Sequence, residues 1–464
     1  MKKYPPLLTP LLSGLSLLFA VLACNLSDDT RPPTLVPRPS ATPPPTIGYA
    51  TLAPEEFPME ATQVPQQQRT DAALLNLIAQ VEADRLIAHV SALEGFVTRH
   101  FNSGGNGPNR GIDAAANYII NQFNQIRDQA YQGNFAVLTQ DFPVRWGGIN
   151  TINKNIVGVL TGTEAGAGII LVGAHYDSIS SDVNDNVGFA PGANDNASGV
   201  AALIEIARIL SQRPQRATVM FVAFGAEEIQ RQGSIAFVRD YLLPNNIRID
   251  AMLNMDIIGS STGPNGQTID NQIRVYSNDP NDSNSRQLAR TLNLIALRHM
   301  PDMSIKLEPQ ADRQGRYSDH ITFHEAGFPA VRFIEALENP NLHHTDRDRI
   351  TTLRPSYLVR ATQTVLASAA VLANGPRPPR SISLRDNGNG TRTLVWETTP
   401  GAVSYLVALR APGSVIFNEY FEVNSNSSGA WDGFIPSRYE AVAVAGQDAN
   451  GMMGPLSAEY AITN

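Results

Sequence analysis

Residues 168–178 read Gly168-Ile169-Ile170-Leu171-Val172-Gly173-Ala174-His175-Tyr176-Asp177-Ser178. The run up to Ala174 is apolar without alternation and short enough for a strand, which is the pattern of a strand buried on both faces of a sheet. It ends in a histidine and an aspartate two positions apart. Open α/β sheets place their ligand crevices outside such strand ends, so one stretch indicates both a fold class and a place for chemistry. The His-x-Asp spacing lets a carboxylate orient or help hold a metal-binding imidazole.

Working outward, strand-like and helix-like segments alternate. Strands are expected at 156–160, 217–224, 249–255, 273–276 and 330–334, with helices at 198–210, 234–241, 285–298 and 355–372. Upstream, Leu74, Leu75, Ile78, Val81, Leu86, Ile87 and Val90 recur at helical spacing after an Asp71 cap, and a second helix is expected over 112–126. Buried strands alternating with helices give an α/β fold, a mixed and mostly parallel sheet covered by helices on both faces.

This unit spans residues 70–375. Gly375-Pro376-Arg377-Pro378-Pro379 marks its end, and 376–464 switches to short strands with turn signals, a small all-β sandwich. Through Trp396, Tyr405, Tyr439 and the tail Asp448-Ala449-Asn450-Gly451 to Ser457 it resembles a fibronectin type III domain, with Trp396 and Tyr439 as core residues. Adhesion to a glycan or protein and simple spacing are both open for it. Residues 25–69 are rich in Pro and Thr and read as a stalk. Residues 1–24 combine Lys2 and Lys3, an apolar stretch from Leu7 to Leu22, and Val21-Leu22-Ala23-Cys24. They resemble a bacterial lipoprotein signal, which implies lipidation at Cys24, an extracytoplasmic location and a membrane anchor. The apolar run is shorter than the ~20 residues that span a bilayer, which disfavours an uncleaved anchor helix. Cys24 is the only cysteine, so no disulfide supports the fold.

The chain has 464 residues, 42% of them hydrophobic and 17% charged, an ordinary globular balance. Its formal net charge is −8, with no basic run that suggests nucleic acid.

Candidate site residues collect at strand ends. After His175 and Asp177 come Asp195, in the small-residue stretch Pro191-Gly192-Ala193-Asn194-Asp195-Asn196-Ala197-Ser198-Gly199; Glu227 and Glu228, after the strand at 217–224; Asp256, between apolar neighbours; and His343-His344-Thr345-Asp346-Arg347-Asp348. Each acid or histidine taken alone has a structural explanation, such as a solvated loop carboxylate or a local ion pair. Together they supply two histidines and three carboxylates, donors suited to zinc.

The motifs His175-Tyr176-Asp177-Ser178, Gly192 to Gly199, Gly225 to Glu228, Asn254 to Gly259, Ser318-Asp319-His320, and His344-Thr345 with Asp348 resemble, in order, those of the co-catalytic di-zinc peptidases. That family, metallopeptidase family twenty-eight, includes bacterial leucyl aminopeptidases, glutamate carboxypeptidases and glutaminyl cyclases. The resemblance implies two Zn2+ ions bridged by Asp195, with His175 and Asp256 completing one site and Glu228 and His344 the other. It implies Glu227 as general base and Asp177 as a partner of His175. Peptide or protein N-termini are the implied substrates of an exopeptidase, most simply an aminopeptidase. Glutaminyl cyclase chemistry with one zinc, or a non-catalytic cell-surface binding protein, are the alternatives. The family usually has a tyrosine before the last ligand histidine, where this chain has His343; Thr345 and Asp348 favour His344 as the ligand. His320 and His324 are expected as wall or structural residues, and loops such as Arg313 to Tyr317 as the specificity pocket.

Overall fold

The computed structural model describes residues 71–105, 107–278, 280–388, 392–424, 430–431 and 438–462. Cys24 and the Pro/Thr-rich 25–69 lie outside the described residues. Among the described residues, no helix is long and apolar enough to cross a membrane.

The chain opens with α1 (Ala72–Ile78), α2 (Ala83–Glu94) and α3 (Gly111–Gln129). The single amphipathic helix expected from Asp71 onward is therefore two. Asp71 caps α1, its Oδ1 accepting from the Ala73 N–H at 2.8 Å, and a short turn separates α1 from α2. The sheet follows with β1 (Phe135–Trp146), β2 (Ile149–Leu160) and β3 (Ile169–His175), then α4 (Ser198–Leu210), β4 (Thr218–Phe224), α5 (Gln232–Ala236) and β5 (Ala251–Met255). It continues through β6 (Gln272–Ser277), α6 (Asn284–His299), β7 (Ser304–Glu308), α7 (His320–Glu325), β8 (Ala330–Glu335) and α8 (Pro355–Asn374).

The eight strands lie in the order β1-β2-β4-β3-β5-β8-β6-β7. The central four, β4, β3, β5 and β8, run parallel, with antiparallel pairings at β1-β2, β2-β4 and β6-β8. Sequence reasoning missed β1 and β7, the two edges. Both are half-exposed and polar on one face, and β1 carries Pro143, which an edge tolerates because no neighbour needs its N–H. Neither has the continuous apolar run that marks the centre.

Helix α4 is buried along almost its whole length under the middle of the sheet. Its N-terminus comes so close to the end of β5 that a Cβ on Gly199 would lie 2.7 Å from the Met255 carbonyl oxygen. Glycine is therefore required there. This contact fixes the loop before α4 against the loop after β5, the two loops that carry Asp195 and Asp256.

Beyond α8 come β9 (Ser383–Asp386), β10 (Arg392–Val395), β11 (Ser404–Arg410), β12 (Glu419–Val423), β13 (Ala430–Trp431), β14 (Ala441–Gln447) and β15 (Tyr460–Ala461), forming sheets ordered β13-β10-β9 and β12-β11-β14-β15. Trp396, Tyr405, Val407, Leu409, Tyr439 and Val444 form a core between them. The Tyr439 hydroxyl donates to Glu419 Oε2 at 2.6 Å. The opposite face of β11 and β14, with Leu406, Ala408, Ala443 and Ala445, joins Phe417, Met453 and Leu456 in the main α/β core. Buried Arg290 of α6 reaches across to Glu459 at 2.8 Å, and Arg298 to Glu422 at 2.9 Å. One sheet is thus covered on both faces, once by its own partner and once by α6.

Candidate metal centre

The parallel strands converge on one edge. His175 is the last residue of β3, Glu227 and Glu228 follow β4, Asp256 follows β5, Asp195 lies in the turn before α4, and His344 comes from the loop after β8. His175 Nε2 lies 3.4 Å from Asp195 Oδ1 and 3.4 Å from Asp256 Oδ1. His344 Nε2 lies 3.4 Å from the other Asp195 oxygen, Oδ2, and 2.9 Å from Glu228 Oε2. Donor atoms of His175, Asp195 and Glu228 all fall within 4.8 Å of one another. Two donor sets thus meet at one carboxylate. Glu227 Oε2 stands 3.9 Å from His175 Nε2, while Glu228 Oε2 meets His344.

Three buried carboxylates hold the loops that present these donors. Asp177 accepts from the backbone N–H of Glu227 through Oδ1 (3.0 Å) and of Glu228 through Oδ2 (3.1 Å). Its Oδ1 is 3.5 Å from His175 Nδ1, so the expected pairing with His175 is the longer of its contacts. Asp348 does the same for Asn194 and Asp195, each N–H at 2.9 Å. Glu335 Oε2 accepts from Ser260 N and Ser261 N, both at 2.8 Å, and from Asn194 Nδ2 at 3.0 Å. The amides around Asp195 complete the stitching: Asn194 Oδ1 accepts from Gly259 N at 2.8 Å, and Asn196 Nδ2 donates to the Met255 carbonyl at 2.9 Å.

Two buried arginines were not singled out in the sequence. Arg99 donates to the carbonyls of Tyr176 (2.7 Å), Pro191 (2.6 Å) and Gly192 (2.9 Å), tying the loop after His175 to the loop before Asp195. Gly192 has φ +49°, and a Cβ there would meet Arg99 Nη2 at 2.8 Å. Arg332, in the middle of β8, sets Nη2 3.0 Å from Asp256 Oδ2 and Nη1 2.9 Å from Asp312 Oδ2. Asp256 thus has an arginine on its far side, a second positive charge that offsets its burial beside the one a metal would supply. Arg332 had a legible signal, a charge inside an apolar strand run, where it is costly unless paired. Glu335 had one too, as an acid at a strand end. Arg99 lies in a turn whose sequence shows nothing of its contacts.

Of the remaining residues, His343 turns Nδ1 toward Arg316 Nη2 at 3.0 Å and not toward the donor cluster. Ser318 Oγ accepts from Asn254 Nδ2 at 2.8 Å, His320 Nε2 donates to the Ala311 carbonyl at 2.9 Å, and His324 Nδ1 is 3.0 Å from Ser285 Oγ. His320 and His324 thus bond outside the donor cluster, as wall or structural residues do.

The electrostatics are those of a site short of positive charge. The Glu228 carboxylate, opposed by burial and helped by Asp195, pushes the His344 imidazole up to about 11. Burial opposes charge on His175, but Glu227 and Asp256, then Asp177 and Asp195, outweigh it and lift it well above the ordinary range. Burial raises Glu227 and Glu228. Burial would also raise Asp195, yet the two imidazoles hold it well below the carboxylate range. Asp256 Oδ1 and Glu228 Oε1 are buried with no hydrogen-bond partner among the described residues. Orphaned acceptors beside imidazoles driven to take up protons fit a cation in their place, since metal binding displaces protons from such ligands. Imidazole nitrogen and carboxylate oxygen are zinc donors.

A family model described as peptidase family M28 matches residues 155–369. A probable zinc metalloprotease of Leptosphaeria maculans is 30% identical over 388 residues, covering 75% of this chain and 88% of that protein. The chain belongs to peptidase family M28. A probable zinc metalloprotease of Pyricularia oryzae is 32% identical over 405 residues, 77% of this chain and 78% of its own. The M28 fold extends to the Legionella pneumophila LapA aminopeptidase, a crystal structure with a TM-score of 0.53 and 21% identity that covers 65% of this chain and 75% of that one. The matched segment of the M28 chain begins in β2 and ends in α8, so it takes in the six donor and base residues and leaves Arg99 outside.

Proposed function

We propose that this M28 peptidase is an extracytoplasmic two-zinc aminopeptidase, anchored through a lipid at Cys24. The observation that carries the two-ion reading is the position of Asp195, whose two oxygens face two separate histidines at 3.4 Å each. His175, Asp195 and Asp256 would hold one ion; His344, Asp195 and Glu228 the other. Bound zinc supplies Lewis acidity that polarises a scissile carbonyl and makes water easier to deprotonate.

The chain's own groups do the rest. Glu227 takes the proton of the attacking water and returns it to the leaving amine. Its burial raises its affinity for a proton, which suits a group that must both accept and release one. Asp177 fixes Glu227 and Glu228 by their backbone amides, so base and ligand keep a constant spacing. The resemblance of the motifs to those of the bacterial leucyl aminopeptidases favours aminopeptidase action. The signal-like 1–24 and the stalk-like 25–69 support placement outside the cytoplasm.

Zinc counted per chain by elemental analysis, together with hydrolysis of aminoacyl anilides before and after chelation, tests the proposal. Two zinc ions and chelator-sensitive release of N-terminal residues are expected. One zinc with cyclisation of glutaminyl peptides would establish the cyclase alternative, and no zinc would leave a binding protein.

A further inference from the structure

Three arginines near the site have carboxylate partners. Arg313 pairs with Asp312 and Glu338, Arg274 with Glu338, and Arg332 with Asp256 and Asp312. Arg231 and Arg316 have no carboxylate partner among the described residues; Arg347 and Arg349, beside His344, have none either, but they donate to the carbonyls of Asn341 and Asp346. Arg231 follows Glu228 by three positions and has a left-handed φ of 59°. Its N–H donates to the Glu227 carbonyl at 2.7 Å. Its guanidinium lies over the Tyr317 ring, 6.0 Å from the centroid, with Nε buried and unpartnered. Arg316 immediately precedes Tyr317 and holds His343, the neighbour of His344, through Nη2 at 3.0 Å from Nδ1. Arginine only donates, so Nδ1 is the acceptor and His343 positions the guanidinium without neutralising it. Tyr317 is 45% exposed.

A planar guanidinium that is fixed and left without a counter-ion is matched by a carboxylate, which it can bind through two parallel hydrogen bonds. The two arginines suit the negatively charged end of a peptide. We propose that Arg231 and Arg316, both beside Tyr317, form a subsite for a substrate carboxylate on the leaving-group side of the scissile bond. The enzyme then favours short peptides with a free C-terminus, or with an acidic residue after the bond, over their neutral counterparts. This rests on the aminopeptidase reading, and His343 enters it as a positioning residue for Arg316.

The zinc-loaded full chain is assayed on Leu-Gly, Leu-Gly amide, Leu-Asp amide and leucine 4-nitroanilide. A charge-assisted contact predicts about a tenfold or greater advantage in kcat/KM for Leu-Gly or Leu-Asp amide over Leu-Gly amide, and the two acids separate the main-chain source from the side-chain source. Arg231→Gln and Arg316→Gln should erase the advantage through KM and leave the anilide within about twofold, as expected for contacts the anilide cannot make. His343→Phe should repeat the Arg316 effect in weaker form. Arg→Lys variants, which keep charge but not the fork, serve where a glutamine variant does not fold. Equal wild-type rates on acid and amide, or variants that slow the anilide equally, overturn the subsite. Hydrolysis of N-acetyl-Leu-Gly would instead overturn the aminopeptidase reading and keep the subsite. If no substrate is cut, calorimetric binding of Leu-Gly against Leu-Gly amide decides, and equal affinities overturn the proposal.

Discussion

Replacing Asp348 by asparagine tests whether the bridging carboxylate depends on a clamp it does not touch with its own side chain. Asp348 is buried, and each of its oxygens accepts one backbone N–H, from Asn194 and from Asp195, at 2.9 Å. Asparagine keeps one acceptor and turns an NH2 group toward the other N–H. One charge-assisted bond is lost, worth ~1.5–3 kcal/mol, and a buried donor is left facing a donor, at a further cost of ~1–3 kcal/mol. Arg99 beside it also loses its strongest favourable charge partner. A fall of about 2.5–6 kcal/mol in stability is expected, the sum of those two terms. Because Asp195 faces both histidines, zinc affinity should fall by about 10–100-fold for both ions together, the usual effect of removing a group that orients a ligand. Competition with a chromogenic chelator reads the affinity, and denaturant melts of the metal-free protein read the stability. A D348N protein that binds both ions within twofold of wild type and unfolds at the same midpoint would refute the reasoning.

Glu227→Gln should retain both zinc ions and lose about 10²–10⁴-fold in turnover, since it removes the base and keeps its shape; near wild-type rates at full metal content would sink the assignment. Asp195→Ala should empty both sites at once, whereas His175→Ala and His344→Ala should each first weaken one, as read by zinc titration. His299, buried without a hydrogen-bond partner among the described residues, is lowered by burial from 6.5 to about 4. It stays neutral when folded, so its contribution is intact above pH 6.5 and is lost as pH falls toward 4. His299→Leu should therefore reduce the stability lost between pH 7.5 and 5.5 by about 1 kcal/mol, measured by urea unfolding; an unchanged pH dependence counts against burial as the cause. Ending the chain at residue 375 would bare apolar groups of α6 and leave Arg290 without Glu459. Loss of soluble, folded protein is expected, and a stable, active 70–375 fragment would show that the C-terminal sheets are separable.

The residues that carry the chemistry were legible because the chemistry needs unusual residues in ordinary places. His175 ends an apolar strand and Glu227, Glu228 and Asp256 follow one, and a charge at that point has few purely structural uses. The central strands and α4 were legible because burial on all sides demands unbroken apolar runs. The edge strands β1 and β7 were not, since a half-exposed strand carries polar residues that blur its period. What the tertiary structure alone decided is which distant groups meet. Asp348 clamping Asp195, Arg99 joining two loops, Arg332 behind Asp256, and β11 and β14 sealing the α/β core are contacts between residues far apart in the chain, and no local pattern encodes their partners. The stretch 168–178 determined the strand, its burial and the two residues at its end. That Asp177 spends its carboxylate on the Glu227 and Glu228 amides, more than on the histidine two positions before it, depended on β3 and β4 lying side by side, because parallel pairing brings the loops after both strands to the same edge of the sheet.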